Sequence, residues 1–138
     1  MNLKYDNLKT FSAVVLSVIF LDEAAKHLFA SRILNYPVYE NRNALFGIPF
    51  NYGFAFVFLA FIFFFIVYNR KKLFASCESD TVVYTALIFG GIMGNIYDRI
   101  SNGFVIDYLT FLNLFSFNIS DLAILSGSSL FFLKIIRK

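Results

Sequence analysis

Four stretches of this chain stay apolar for about the length a helix needs to cross a bilayer, roughly 20 residues at 1.5 Å each. Nothing else in the sequence limits the fold as much. They run over about 8–28, 52–68, 81–100 and 117–136 of a 138-residue chain. With 59% hydrophobic and 15% charged residues, the chain falls outside the range of ordinary soluble domains. One core of this size cannot hide so much apolar surface, so the bilayer has to act as its solvent. The expected architecture is a single-domain, all-α membrane protein with four transmembrane helices. Its twenty phenylalanines then need no role beyond lipid-facing bulk. Tyr52 and Tyr68 bracket the second stretch, at the level where interfacial rings prefer to sit.

Basic residues set the direction of the spans. Lys4 and Lys9, then Arg70, Lys71 and Lys72, then Lys134, Arg137 and Lys138 all fall on one side. The two opposite loops offer Arg32 and Arg42, with Lys26 and Arg99 near helix ends. Cytoplasmic loops carry the excess of Lys and Arg, so both termini are expected in the cytoplasm and the 29–51 and 101–116 loops outside. Orientation also accounts for the net charge of +3 without a nucleic-acid partner. The start of the chain, with "FSAVVLSVIFL" behind two lysines, resembles a cleavable signal. However, no small-x-small site follows before "DEAAKH", and the stretch reads as a retained span. Cys77, the single cysteine, follows the basic cluster and reads as cytoplasmic and inert. It excludes an intramolecular disulfide and a cysteine-based metal site, and neither metal nor cofactor is expected. Residues 29–51 alternate apolar and polar side chains around Pro37 and Pro49, which suggests a β-like cradle at the outer membrane surface. Residues 101–116 are apolar without Lys or Arg and are expected to lie in the interface.

Against this background "GGIMGNIYDRISNGFVID", residues 90–107, stands out. A charge inside a bilayer costs about 2.5–3.5 kcal/mol on insertion scales, so each one needs a reason. The third stretch runs outward and carries Asn95, Asp98 and Arg99 in its outer half, with Asp107 just beyond. The fourth begins "FNISDLAIL" and sets Asn118 and Asp121 at the same depth. Asp22, Glu23 and Lys26 end the first stretch there too, and the 29–51 loop adds Asn41 and Arg42. Most of these residues have a structural reading. Asp22 and Lys26 are spaced for an ion pair on one helix face. Asn95 and Arg99 share a face and could bridge neighbouring helices. Asp98 could pair with a base or cap backbone, and Asn118 or Asp121 could cap a helix. Gly90, Gly91 and Gly94 allow close helix approach. Asp107, in "FVIDYL", has no partner nearby in sequence.

Two shielded carboxyls at one depth can titrate as a pair, one keeping a proton while the other stays ionised. The ionised one can take a proton from water attacking a carbonyl, and the other can donate to the leaving group. His27 is the sole histidine, which leaves no histidine triad or zinc site to assemble. Two other classes remain open. A transporter or channel component would use the acids to carry protons and would need polar groups along the whole crossing. A non-catalytic assembly factor would tolerate loss of either aspartate.

At these residues the chain resembles the lipoprotein signal peptidase (signal peptidase II) family of bacterial membrane aspartic proteases, over nearly its whole length. The family's Asp-x-x-Thr-Lys reads "DEAAK" here, with Ala25 in place of the hydroxyl. Its Asn-x-Gly-x-Ala-Phe-Gly reads "NRNALFG", with Asn43 for glycine and Leu45 for alanine. Gly-Gly-x-x-Gly-Asn-x-x-Asp-Arg followed by Gly-x-Val-x-Asp is intact from Gly90 to Asp107. Phe-Asn-x-Ala-Asp-Ser reads "FNISDL", with Ser120 and Leu122 as replacements. The segment between the two aspartates is short for the family.

The resemblance implies that Asp107 and Asp121 are the catalytic pair. It implies that Asp22, Asn41, Asn95, Arg99 and Asn118 line the substrate site, with Lys26 and Asp98 in support. The implied substrates are prolipoproteins whose cysteine carries a diacylglyceryl group, cut just before that cysteine. Membrane lipids and globomycin-like cyclic peptide inhibitors are the other implied partners. The implied location is the bacterial cytoplasmic (inner) membrane with the active site at the outer face, and a monomer suffices.

Overall fold

The computed structural model describes residues 3–31, 37–42, 79–112 and 114–136. The expected second span at 52–68, the cluster Arg70 to Lys72, Cys77 and most of the "NRNALFG" element lie outside the described residues. Within them are three helices, α1 (Leu3–Ala30), α2 (Ser79–Asn102) and α3 (Ile119–Ile136). Four short strands accompany them: β1 (Tyr39–Asn41), β2 (Val105–Asp107), β3 (Leu109–Phe111) and β4 (Phe115–Phe117).

The helix ends follow local chemistry. α1 starts earlier than its apolar run, with Asp6 in the first turn and His27 in the last, both favourable to the helix dipole. Its C-terminus closes through Ser31, whose N–H donates to the His27 carbonyl (3.1 Å) and whose hydroxyl donates to that of Leu28 (2.5 Å). α2 likewise has Asp80 in its first turn and Arg99 in its last. It ends at Gly103, which takes φ +80° and donates its N–H to the Arg99 carbonyl at 3.1 Å. This is the left-handed glycine stop, which costs other residues a clash at Cβ.

α2 lies between the other two helices, packing on both while α1 and α3 touch little. Its glycines make this possible. A Cβ on Gly90 would sit 3.1 Å from Val18 Cβ and 3.2 Å from Val15 Cα of α1. One on Gly91 would run into the backbone carbonyl of Ser120 in α3, and one on Gly94 into the Ser120 hydroxyl. α3 returns the contact through Gly127, where a Cβ would lie 2.7 Å from the Tyr84 carbonyl. Small residues at such crossings let backbones approach and gain dispersion contact. Val18, Val82, Ala86 and Ala123 are buried between the helices, and Phe11 of α1 packs on Phe89 of α2 at 5.7 Å.

The cradle is β structure, but its source differs from the expectation. β1, from the 29–51 loop, pairs antiparallel with β2 from the 101–116 loop, Tyr39 opposite Asp107 and Asn41 opposite Val105. β3 and β4 form a hairpin within the second loop, Leu109 opposite Phe117. Its turn is closed by the Leu114 N–H donating to the Phe111 carbonyl (2.9 Å), with Leu112 at φ 49°. The pairing of Phe111 with Phe115 leaves a three-residue loop, and its first residue takes the left-handed conformation that a non-glycine residue seldom adopts. Strands of three residues leave too little alternation to be read from an apolar run, which is why the second loop looked merely interfacial.

Among the described residues no helix is both long and apolar enough to cross a membrane. α1 and α2 would reach about 42 and 36 Å at 1.5 Å per residue, but α1 carries Asp6, Lys9, Asp22, Glu23 and Lys26, and α2 carries Asp80, Asp98 and Arg99. All three helices nonetheless carry exposed apolar side chains. Leu16, Phe20, Leu21, Ile100, Leu125 and Phe132 are all exposed.

Gly91→Ala should therefore overpack the α2–α3 crossing and cost about 1–3 kcal/mol. Thermal unfolding of the purified protein in detergent should read this as a clear loss of stability.

Candidate active site

Apart from Asn7, the buried polar residues among those described form two linked networks at one end of the helices. Asn118, fully buried, organises the first. It stands immediately before α3, where a short polar side chain can serve the unpaired N–H groups of the first turn. Its Oδ1 accepts the Asp121 N–H at 2.9 Å, and its own N–H donates to Asp121 Oδ2 at 3.4 Å. This is a reciprocal cap, with aspartate in the position usually held by glutamate. The side-chain nitrogen of Asn118 points the other way and donates to Asp107 Oδ1 at 2.9 Å and to Asn95 Oδ1 at 3.1 Å. Asn95, from α2, in turn donates to Asp121 Oδ1 at 2.8 Å. Asn41 donates to Asp107 Oδ2 at 2.9 Å. It reaches there because Asn41 and Asp107 are diagonal neighbours on one face of the β1–β2 pair. Two carboxyls from different elements thus meet one residue, Asn118, Asp107 at its side-chain amide and Asp121 at its backbone N–H, with an asparagine on each further side.

The second network holds the first in place. Lys26, 2% exposed, lies between Asp22 (2.5 Å) and Asp98 (2.8 Å), with Glu23 at 3.7 Å. Asp98 Oδ2 also accepts the Ile106 N–H at 3.1 Å, which fastens β2 beside Asp107. Asp22 is fully buried and accepts from the Ser120 hydroxyl (2.6 Å), the Ser120 N–H (3.3 Å) and the Tyr108 hydroxyl (3.2 Å). Asp22, expected to line the substrate site, instead turns both oxygens inward. Arg99, expected beside it, donates to the carbonyl of Asn95 on its own helix at 3.0 Å. Lys26 and Asp98 tie α1 to α2 and α2 to β2.

Tyr108 and Ser120 were not picked out as site residues from the sequence. Tyr108 was read only as an apolar flank of Asp107, although a buried phenol nearly always has a hydrogen-bond partner. Ser120 stood out only as a replacement within a motif. Both turn out to be buried partners of Asp22.

Burial shapes the proton affinity of the loop residues at this site. Burial pushes Asp107 from the ordinary carboxylate range up to about 6; the Asn41 hydrogen bond offsets part of this, and the negative charge of Asp121 adds to it. Burial likewise raises the Tyr108 phenol well above its usual value, so it stays protonated and able to donate. Asp107 is fully buried, whereas Asp121 is partly open. Among the described residues, no three His, Cys, Asp or Glu side chains converge as metal ligands.

Comparison with known proteins agrees with this geometry. Residues 13–137 match the family model described as signal peptidase (SPase) II. A lipoprotein signal peptidase of Halothermothrix orenii is 32% identical over 134 residues, covering 87% of this chain and 90% of the relative. One from Caldanaerobacter subterraneus subsp. tengcongensis is 32% identical over 130 residues, covering 83% and 88%. Among solved structures, a bacterial membrane enzyme obtained by the in meso method superposes with a TM-score of 0.78 at 22% identity, covering 94% of this chain and 88% of the other.

Two measurements test the site's energetics. Asp107 binds a proton more tightly folded, up to about 6, than unfolded, near the usual carboxylate value of about 3.9. The native state therefore holds more protons between those values, and its stability contribution falls as pH rises through that window, by up to about 3 kcal/mol. Unfolding followed from pH 4 to 7 should show this decline in the parent and a flatter profile in Asp107→Asn. Lys26→Met would strand two buried carboxylates and should cost about 3–5 kcal/mol. Arg42→Ala removes an exposed pair with Glu40, 3.3 Å apart, and should cost under about 1 kcal/mol.

Proposed function

The chain belongs to the signal peptidase II family, and we propose that Asp107 and Asp121 are the two carboxyls with which it works. It is a membrane aspartic endopeptidase that removes the signal peptide from diacylglyceryl-modified prolipoproteins, cutting before the lipidated cysteine. The observation that carries the assignment is the buried residue Asn118, whose side-chain amide donates to the Asp107 carboxyl and whose backbone N–H donates to the Asp121 carboxyl. The elevated proton affinity of Asp107 supports it independently.

In this reading the pair shares one proton in the working state. The ionised carboxyl takes a proton from a water molecule as its oxygen attacks the scissile carbonyl, and the tetrahedral intermediate forms. The protonated carboxyl supplies the leaving amine of the cysteine, the C–N bond breaks, and the signal peptide leaves with a new carboxyl terminus. One water is consumed, and the pair returns to a single shared proton. Asn118 and Asn95 hold the carboxyl oxygens in place during both transfers, and Asn41 steadies the outer oxygen of Asp107. Water and substrate enter from the Asp121 side, which is the open one.

Asn41, Asn95, Arg99 and Asn118 border the place of the substrate backbone, and globomycin-like cyclic peptides would compete for it. Asp22, Lys26 and Asp98 act behind them as support. The exposed leucines and phenylalanines of the helices face lipid, with the chain crossing the inner membrane four times, both termini cytoplasmic and the site at the outer face. That depth suits a substrate whose lipidated cysteine is anchored in the outer leaflet. A monomer is sufficient. A transporter would need polar groups along the whole crossing, whereas among the described residues the buried polar ones, Asn7 apart, gather at one end.

The test is Asp107→Asn and Asp121→Asn, made separately and assayed on a diacylglyceryl-modified precursor in detergent. Each should fall by about 10²–10⁴-fold in cleavage rate, the usual weight of a positioned acid or base, while inserting normally. Near-parental cleavage by either variant rules the pair out.

A further inference from the structure

We propose that Tyr108 is a positioning residue whose hydroxyl sets the spacing of the two aspartates. This rests on the assignment of Asp107 and Asp121 as the catalytic pair. Tyr108 is 1% exposed, and its single oxygen works in two directions. It donates to Asp22 Oδ1 at 3.2 Å and accepts the Ile119 N–H at 3.1 Å. Ile119 is the first residue of α3 and lies two before Asp121, while Tyr108 itself directly follows Asp107. The hydroxyl therefore ties the strand end that carries one carboxyl to the helix start that carries the other. The backbone adds a parallel link, with the Tyr108 N–H donating to the Phe117 carbonyl at 3.2 Å. The ring is held flat against Phe29 of α1, 4.8 Å away and 9° from parallel. A phenol held on ring, oxygen and backbone has little freedom left, which suits it as a spacer.

The same hydroxyl completes the first turn of α3. The N–H groups of Ile119, Ser120 and Asp121 go to Tyr108, Asp22 and Asn118 respectively. Loss of the Tyr108 oxygen would leave the Ile119 N–H buried without its acceptor, and the helix start would shift to find another. Any such shift moves Asp121 relative to Asp107, because among the described residues the side-chain links between the two carboxyls run through Asn118 and Asn95.

A purely structural tyrosine and a spacer differ in what they do to the pair's titration. Two coupled carboxyls have macroscopic pKa values separated by their interaction, so a looser pair has a narrower bell of log kcat against pH. Tyr108→Phe keeps the ring and its stack. It should lower kcat about 10- to 100-fold, as misplacement of reacting groups does, leave KM for a diacylglyceryl peptide nearly unchanged, and narrow the bell. Phe89→Leu is the comparator, about 16 Å along α1 from Asp22 through its partner Phe11. It should lower thermal stability and leave the width of the bell alone. If Tyr108→Phe keeps kcat and the width of the bell while Asp107→Asn is inactive, the spacer is wrong and the pair stands. An active Asp107→Asn removes the pair itself. Hydrogen exchange in the unsubstituted protein gives a check free of any variant. The Ile119 amide should be protected like the interior of α3, and exchange as fast as at a frayed helix start overturns the proposal.

Discussion

Lys26 is the charge on which the rest of the described structure depends. It sits 2.5 Å from Asp22 and 2.8 Å from Asp98, all three essentially out of contact with solvent. A lone ion in such a place would carry a desolvation cost of several kcal/mol, which only well-placed counter-charges and further hydrogen bonds offset. Both conditions are met, and meeting them is what builds the site. Asp98 spends its remaining capacity on the backbone of β2, and Asp22 spends its own on α3 and Tyr108. The strand with Asp107 and the helix with Asp121 are thus both referred to one ammonium group on α1.

The start of α3 shows how this frame and the chemistry share atoms. Helix starts leave several N–H groups to be met from outside the helix. Here they are met by the carboxylate of Asp22, the phenol of Tyr108 and the amide of Asn118, and that amide also donates to Asp107. Asp121 is at once half of a cap and half of the pair. Capping alone would account for Asn118 with Asp121, but not for the second bond from Asn118 to Asp107 or for the approach of Asn95 and Asn41 from two further elements.

Much of this was legible in the residues. The spacing of Asp22 and Lys26 and the glycine run of α2 each led to the contact expected of them, because both depend on helical periodicity alone. The gathering of Asn95, Asp107, Asn118 and Asp121 followed from depth, since apolar runs fix where their ends lie. What stayed hidden depends on tertiary pairing. Nothing near Tyr108 in sequence announces Asp22 or Ile119, which lie 86 and 11 positions away. The inward turn of Asp22 followed from Ser120, a residue with no periodic signal. The β-like cradle was expected from 29–51, but its partner strand escaped notice because the two come from loops far apart in the chain and are three residues each.

The meeting of Gly94 with Ser120 joins bulk at one position to polarity at the other. A methyl at 94 would collide with the serine hydroxyl, and that hydroxyl in turn holds Asp22. Added bulk at 94 would turn the hydroxyl away, and a carboxylate on a different helix would lose a donor to a change it does not touch.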